Sequence, residues 1–396
     1  MTDTAIISRD RDLIVVGGGA VGACLAIAAH GLRTAVVSHE RRAATPSRTG
    51  ALDALLFDAR VYALNPGNVA FLRQLGVWQR IPAERVQPVL AMHVFGDDGR
   101  SSLEFDAYRA GVPELAWIVE DSALQDALWQ AVQAEVLAPA ECERLEMGER
   151  SAVLTLRDGR RVTSALVVGA DGANSFVRRA AGIAATEKGY EQDAVVANFH
   201  CEKAHDSVAY QWFQGGPVLA LLPLPGRQVA MVWSLPADRA ASVSKLAADE
   251  LCRAVEAAAR GTLGKLSLST PPKSYPLRKL RAQRLVQKRL ALVGDAAHVI
   301  HPLAGQGLNL GLQDAQALAA VLATREPGRD PGDERLLRRY ERQRAEPILA
   351  MNAVVDGLFR LFGSEGKQWS RLRNAGLNLT DRLPVLKNIL IRQAMS

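Results

Sequence analysis

The chain has 396 residues, of which 48% are hydrophobic, 23% charged and 5% aromatic. That length supports two domains or one large discontinuous one, and 32 Gly with 18 Pro exclude collagen-like and disordered classes. Residues 357–396 hold seven Lys or Arg against two acids, so this tail carries +5 of the net +6 and the remainder is almost neutral. A nucleic-acid-binding protein spreads a basic face over its main body, so nucleic acid is excluded as a partner.

Cys24, Cys142, Cys201 and Cys252 lie far apart with no CxxC pair, which argues against zinc and against a disulfide framework. No HxH or HxxxH pair suggests any other metal. A reducing, cytoplasmic location fits, and the start of the chain lacks the apolar stretch of a signal peptide. No uninterrupted apolar run approaches the ~18 residues that cross a bilayer.

In chain order, Leu13–Val16 is a short apolar strand ending at Gly17-Gly18-Gly19. Residues 20–31 read as a small-residue helix and Thr34–Val37 as a second strand, the opening β-α-β of a dinucleotide fold. Residues 41–58 show no period and read as loop. Asn65–Leu75 and Ser122–Val136 read as helices. Residues 86–106 read as a hairpin turning at Asp97-Asp98-Gly99, and Ala152–Leu156 with Arg161–Val168 as another turning at Asp158-Gly159. Residues 190–235 alternate apolar and polar in several runs, as antiparallel strands do, and 238–260 is helical. Leu290–Val293 is a buried strand, followed by a Gly-rich loop and a helix through Leu322. Residues 327–334 are a turn-rich linker, and the pattern is helical from Leu336 onward, broken near Gly363 and Pro384. No internal repeat or low-complexity tract is present.

Three segments carry chemistry. In Gly17-x-Gly19-x-x-Gly22, the first glycine makes a tight turn, the second admits a pyrophosphate to the backbone, and the third lets helix and strand pack closely. The helix start then offers unpaired N–H groups to phosphate. Counting from Gly22, the acid expected to hold a ribose is Glu40, whereas aligning by the strand end places Ser38 there; the count favours Glu40. The second segment is Gly169-Ala170-Asp171-Gly172, followed by Arg178. The third is Gly294-Asp295-Ala296-Ala297-His298, running into Pro302-Leu303-Ala304-Gly305-Gln306-Gly307-Leu308-Asn309. An apolar strand there delivers an aspartate to its carboxyl end, and the glycine-rich loop opens a helix whose start can face an anion.

In this order the three segments resemble those of flavin monooxygenases with a single FAD-binding domain. Asp58-Ala59-Arg60-Val61-Tyr62-Ala63-Leu64, Tyr190-Glu191-Gln192-Asp193-Ala194, Val232-Trp233-Ser234, Tyr275-Pro276-Leu277 and Leu372-Arg373-Asn374 are similar to the ubiquinone-biosynthesis hydroxylase subgroup. The likeness runs from about residue 12 to about 390. Residues 41–57 and Asn65-Pro66-Gly67 depart from it, on the adenosine side.

The resemblance implies an α/β fold: a Rossmann-like, glutathione-reductase-like FAD-binding domain (1–85, 115–180 and 286–345), an inserted antiparallel-sheet substrate domain (86–114 and 181–285), and a basic, amphipathic C-terminal helical region (346–396). It implies FAD held by Gly17, Gly19, Gly22, Glu40, Arg60, Gln125, Asp171, Gly172, Asp295, Pro302, Gly305, Gln306, Gly307, Leu308 and Asn309. The alternative for Arg60 is an ion pair with Asp58 or another acid. NAD(P)H is implied as a transient reductant without a second GxGxxG of its own, with O2 activated as a flavin C4a-hydroperoxide that hydroxylates a polyprenyl phenol or benzoquinol. The candidate substrate wall is Tyr210, Phe213, Met231 and Trp233, for which plain sheet core is the competing reading. His298 and His301 lie inside a cofactor loop, where holding backbone is the simpler role, and no catalytic acid or base is assigned. The tail 357–396 suits a membrane surface at its inner face or a ubiquinone-biosynthesis complex. The alternatives are a hydroxylase of a small soluble aromatic compound and a non-catalytic FAD-binding subunit.

Overall fold

The computed structural model describes residues 6–40, 57–98, 100–300 and 306–363. Most of the loop read at 41–58, Gly99 of the first hairpin turn, His301, Pro302, Gly305 and residues 364–396 of the tail lie outside the described residues.

The strand Ile6–Val16 is the centre of the first sheet. It pairs in parallel with Thr34–Val37 on one side and Arg161–Gly169 on the other. Glu135–Leu137 and Leu290–Leu292 extend the two sides, again in parallel. Leu13–Val16, Ala35–Val37 and Leu166–Val168 are all buried, because a parallel sheet covered on both faces has no solvent side to alternate with. Ala152–Leu156 and Cys142–Met147 add an antiparallel meander to Arg161–Gly169, and Val286–Gln287 adds an antiparallel edge. The parallel register sets Val16 beside Gly169 and Gly169 beside Leu292, so all three glycine-containing segments leave the sheet at the same edge. Backbone bonds stitch that edge: Ala170 N–H to Val16 O at 2.8 Å, Val293 N–H to Gly169 O at 3.0 Å, and Gly17 N–H to Val37 O at 2.8 Å.

A second sheet of nine strands includes Ala185–Cys201, Val208–Phe213, Val218–Leu224, Gln228–Pro236 and Lys273–Ala282. It is antiparallel apart from one parallel pair, Val208–Phe213 with Ala91–Phe95. One face is covered by the helices Ala237–Val243 and Ala248–Ala258. Val61–Leu64, Ala116–Glu120 and Val86–Val89 form a small third sheet beneath the other face.

Several boundaries move. The helix expected over 122–136 is Asp121–Ala131, and Glu135–Leu137 becomes an edge strand because pairing with Ala35–Val37 overrides a locally helical composition. The expected helix over 238–260 splits, with Glu250 reaching back to the Ala247 N–H at 3.3 Å to start the second piece. The helix Glu334–Gly363 runs unbroken through residue 346. It is fixed to the first sheet by Tyr340, whose hydroxyl donates to Leu292 O at 2.8 Å, and to the second by Asp356, which bonds Tyr190 and Lys279. Among the described residues no helix is long and apolar enough to cross a membrane.

Candidate active site

The glycine loop is shaped by two contacts that no side chain could share. A Cβ on Gly17 would lie 2.2 Å from the Ala170 carbonyl oxygen, and its φ of +115° lies where L side chains are strained. A Cβ on Gly22 would lie 2.0 Å from the Gly17 carbonyl oxygen. At Gly19 the direction of a Cβ is open, with nothing within 4 Å among the described residues. Gly19 caps the helix Ala20–Ala28 without a side-chain bond, so the first-turn N–H groups are presented toward that open space. Behind the loop, the Trp129 indole donates to Gly18 O at 3.1 Å. Ser38 directly follows the strand Thr34–Val37, and its hydroxyl would be 2.5 Å from a Cβ on Gly18. Glu40, two residues on, is exposed. The strand end thus places Ser38, rather than Glu40, against the glycine loop.

In the second segment the Asp171 carboxylate is taken up locally. It accepts the Ser175 hydroxyl at 2.5 Å and the Val177 N–H at 3.1 Å, which starts the short helix Phe176–Ala180. Arg178, buried, donates to Ala173 O and to Ala296 O, both at 2.8 Å. It therefore ties the second segment to the third, a role its place in the sequence did not reveal.

Asp295 opens on the cleft and is ringed by protein. Burial raises its carboxyl above the ordinary value, opposed by the charges of His298, Arg60 and Arg278. The Arg60 guanidinium lies 5.4 Å from the centre of the Tyr62 ring and in the field of Asp121 and Asp295. Among the described residues it makes no ion pair with Asp58, which instead accepts the Arg60 backbone N–H at 3.2 Å. The Tyr62 hydroxyl donates to Asp121 Oδ1 at 3.0 Å, and Gln125 Nε2 to the same oxygen at 3.4 Å. Among the described residues, Gln125 Oε1 is buried with no hydrogen-bond partner, and a polar ligand group would satisfy it.

The third segment ends at the helix Gly307–Ala323. Asn309 is buried, and its side chain is fully occupied: Nδ2 donates to Ala63 O at 2.8 Å and to Gln306 Oε1 at 3.2 Å, while Oδ1 accepts from Asn65 N and Asn68 Nδ2. Its side chain therefore holds protein together, and only its backbone remains for a cofactor. Asp314, fully buried, accepts from His298 Nε2 at 2.6 Å, Gly294 N at 3.0 Å and Arg344 Nε at 2.7 Å. Burial pushes its carboxyl up, but the charges and hydrogen bonds of His298 and Arg344 outweigh this and hold it below the usual range. His298 is thus a buried tie between the loop and the helix, as the simpler reading of it has it.

Residues 10–354 match a family described as FAD binding domain. The chain is 35% identical to a ubiquinone hydroxylase of Rhodospirillum rubrum, across 99% of this chain and 91% of the relative. It is 32% identical to 3-demethoxyubiquinol 3-hydroxylase of Escherichia coli, across 98% and 99%. The chain belongs to the FAD-dependent monooxygenase family of ubiquinone biosynthesis. A crystal structure of a probable FAD-dependent monooxygenase from Pseudomonas aeruginosa shares the fold, with a TM-score of 0.76 and 23% identity over 93% of this chain and 99% of that one.

The open approach at Gly19, the orphaned Gln125 oxygen and the bare helix start fit FAD in this flavoprotein monooxygenase. Its second sheet buries most of the residues expected to line the substrate site. Trp212, Met231 and Trp233 pack with Val195, Phe199 and Leu221 under the two covering helices, and Tyr210 packs against the same cluster. Tyr210, Met231 and Trp233 are therefore core, a correction that follows from strand parity: side chains two apart share a face, and this face is the helix-covered one. Phe213 lies on the other face but is buried with Val94, Leu103 and Val218. Across the face opposite the covering helices, Val94, Gln211, Ala220, Val232 and Val196 form one row, each paired with the next. Ala220 and Val232 are only half-buried, unlike their helix-side neighbours. At the end of the adjacent row, Tyr275 is paired with Ala194, is 42% exposed, and lies in the field of Arg60.

Proposed function

We propose that this flavoprotein monooxygenase hydroxylates the ring of a polyprenyl phenol or benzoquinol, with NAD(P)H as its transient reductant at the same cleft. The likeness to two ubiquinone-pathway hydroxylases over almost the whole of each chain carries the substrate class. The chemistry FAD supplies when bound is oxygen activation and transfer. Gly17, Gly19, Gly22 and the start of Ala20–Ala28 hold the pyrophosphate, Ser38 or Glu40 the adenosine ribose, and Arg60, Gln125 and Asp295 the phosphate and ribityl chain. Asp171 and Gly172 contribute through backbone, since the Asp171 side chain is taken up by Ser175 and Val177. The backbone N–H groups of Gly307, Leu308 and Asn309 at the start of Gly307–Ala323, with Gln306 beside them, favour negative charge on the pyrimidine edge. Pro302 and Gly305 belong to the same loop by sequence. The apolar side chains of Ala220 and Val232, half-buried on the face opposite the covering helices, line the reacting space with few water-binding groups, which favours transfer to the ring over loss of peroxide. The tail 357–396 contacts an anionic membrane surface or a biosynthetic complex.

A substrate-length comparison tests this reading. A prenylated phenol is expected to exceed the bare phenol in kcat/KM by at least about tenfold, since each added methylene in an apolar pocket is worth ~1–3 kcal/mol. Ala220→Trp, which fills the row without touching the glycine loop, should lose that preference while retaining bound flavin. Equal kcat/KM for both phenols in the wild type would instead favour a small soluble substrate.

A further inference from the structure

Several contacts meet at Asp121, the first residue of the helix Asp121–Ala131. Its backbone N–H donates to Arg60 O at 3.0 Å. Its Oδ1 accepts the Tyr62 hydroxyl at 3.0 Å and Gln125 Nε2 at 3.4 Å. Burial pushes the Tyr62 phenol above its usual range, so that hydroxyl stays a donor. The charge of Asp121 also acts on the Arg60 guanidinium, which lies in the field of Asp295 as well.

Gln125 follows Asp121 by one helical turn and is 6% exposed. A buried amide has two orientations, and its neighbour decides between them. With Nε2 toward Asp121, a donor meets a carboxylate. Turned over, Oε1 would meet the same carboxylate, acceptor against acceptor. Asp121 therefore leaves Oε1, buried and without a hydrogen-bond partner among the described residues, as the atom that meets a ligand. An acceptor takes a hydroxyl there and rejects a phosphate oxygen, which is an acceptor too.

We propose that Asp121 is a positioning residue for flavin binding: by fixing the amide of Gln125, it selects a ribityl hydroxyl over the phosphate as that side chain's ligand. This rests on the placement of Gln125 at FAD, and the variants below separate the two. Full-length protein is stripped of flavin and titrated with FAD, and its melting temperature is recorded alongside. Gln125→Ala should weaken binding by at least about tenfold, the size of one hydrogen bond at a buried group. Gln125→Glu sets two carboxylates side by side and should weaken it at least as much. Adding Asp121→Asn should restore affinity to within about threefold of wild type, because amide and carboxylate have then exchanged places and an oxygen again meets the ligand. Asp121→Asn alone should also stay within about threefold, since its oxygen accepts the same two donors. Asp121→Ala should cost about as much as Gln125→Ala, and the double variant no more than the larger single loss, because residues acting as one unit do not add. Losses that multiply to about a hundredfold in the double variant, or no rescue of Gln125→Glu by Asp121→Asn, overturn the proposal. Wild-type affinity in Gln125→Ala removes Gln125 from the flavin and overturns the placement and the proposal together. Should Asp121→Ala melt early, the exchange pair decides alone, since it is isosteric at both positions.

Discussion

Gly22→Ala is expected to yield a protein that does not retain FAD. The added methyl would sit 2.0 Å from the Gly17 carbonyl oxygen and 3.2 Å from the Ala170 Cβ, against backbone that has nowhere to go. Gly17 is held by its bond to Val37 O, so the helix Ala20–Ala28 must lift away from the sheet. That movement carries the first-turn N–H groups away from the phosphate position, and overpacking costs ~1–3 kcal/mol in addition. We expect purified Gly22→Ala to lack the flavin absorbance and to bind added FAD at least about a hundredfold more weakly, which matches a loss of ~3 kcal/mol. Gly19→Ala separates fold from cofactor, because its methyl meets nothing within 4 Å among the described residues. It should melt like the wild type and still bind FAD more weakly, since the methyl projects into the approach path. Stoichiometric FAD in Gly22→Ala would contradict the geometry of the loop.

Asp314→Ala is expected to cost ~3–5 kcal/mol of stability, because it strands the buried Arg344 charge and the His298 and Gly294 N–H groups together. Thermal melting should fall by roughly 6 °C or more. The same group sets an acid limit. Its folded carboxyl titrates below the unfolded value, so its stabilising contribution is present above the unfolded pKa of about 4 and is lost as pH falls through the lower folded value. The wild type should therefore lose stability steeply on acidification, and Asp314→Asn, weaker at neutral pH, should show a flatter acid limb. Parallel acid limbs in urea melts of the two proteins would remove Asp314 from this role. His298→Gln should follow Asp314→Ala in stability without introducing a new pH dependence of turnover, which separates a positioning histidine from a general base.

What was legible in the sequence was the part where short stretches fix geometry. Parallel strands put Gly17, Gly169 and Gly294 at one sheet edge, and each strand announces itself by an all-apolar run. The substrate wall was not legible in the same way. Alternation shows that Tyr210 and Trp212, or Met231 and Trp233, share a face, but not which face a helix covers. That is decided by Ala240, Leu251 and Val255, distant in sequence. The ribose position was ambiguous because a first helix of nine residues, Ala20–Ala28, shifts the count from Gly22. Asn309 and Arg178 illustrate another limit: their partners Ala63, Asn65, Asn68 and Ala296 come from remote segments, so nothing local marks them as ties.

In the proposed reaction this cleft couples reduction of its flavin to ring hydroxylation. The most direct measurement follows NAD(P)H and O2 consumption by the FAD-loaded protein with and without a short-chain prenylated phenol, with H2O2 trapped alongside. Substrate-stimulated consumption, little peroxide and a product heavier by one oxygen on the ring are expected. Flavin-loaded protein whose consumption ignores the phenol, or returns all of the oxygen as peroxide, would contradict that reaction.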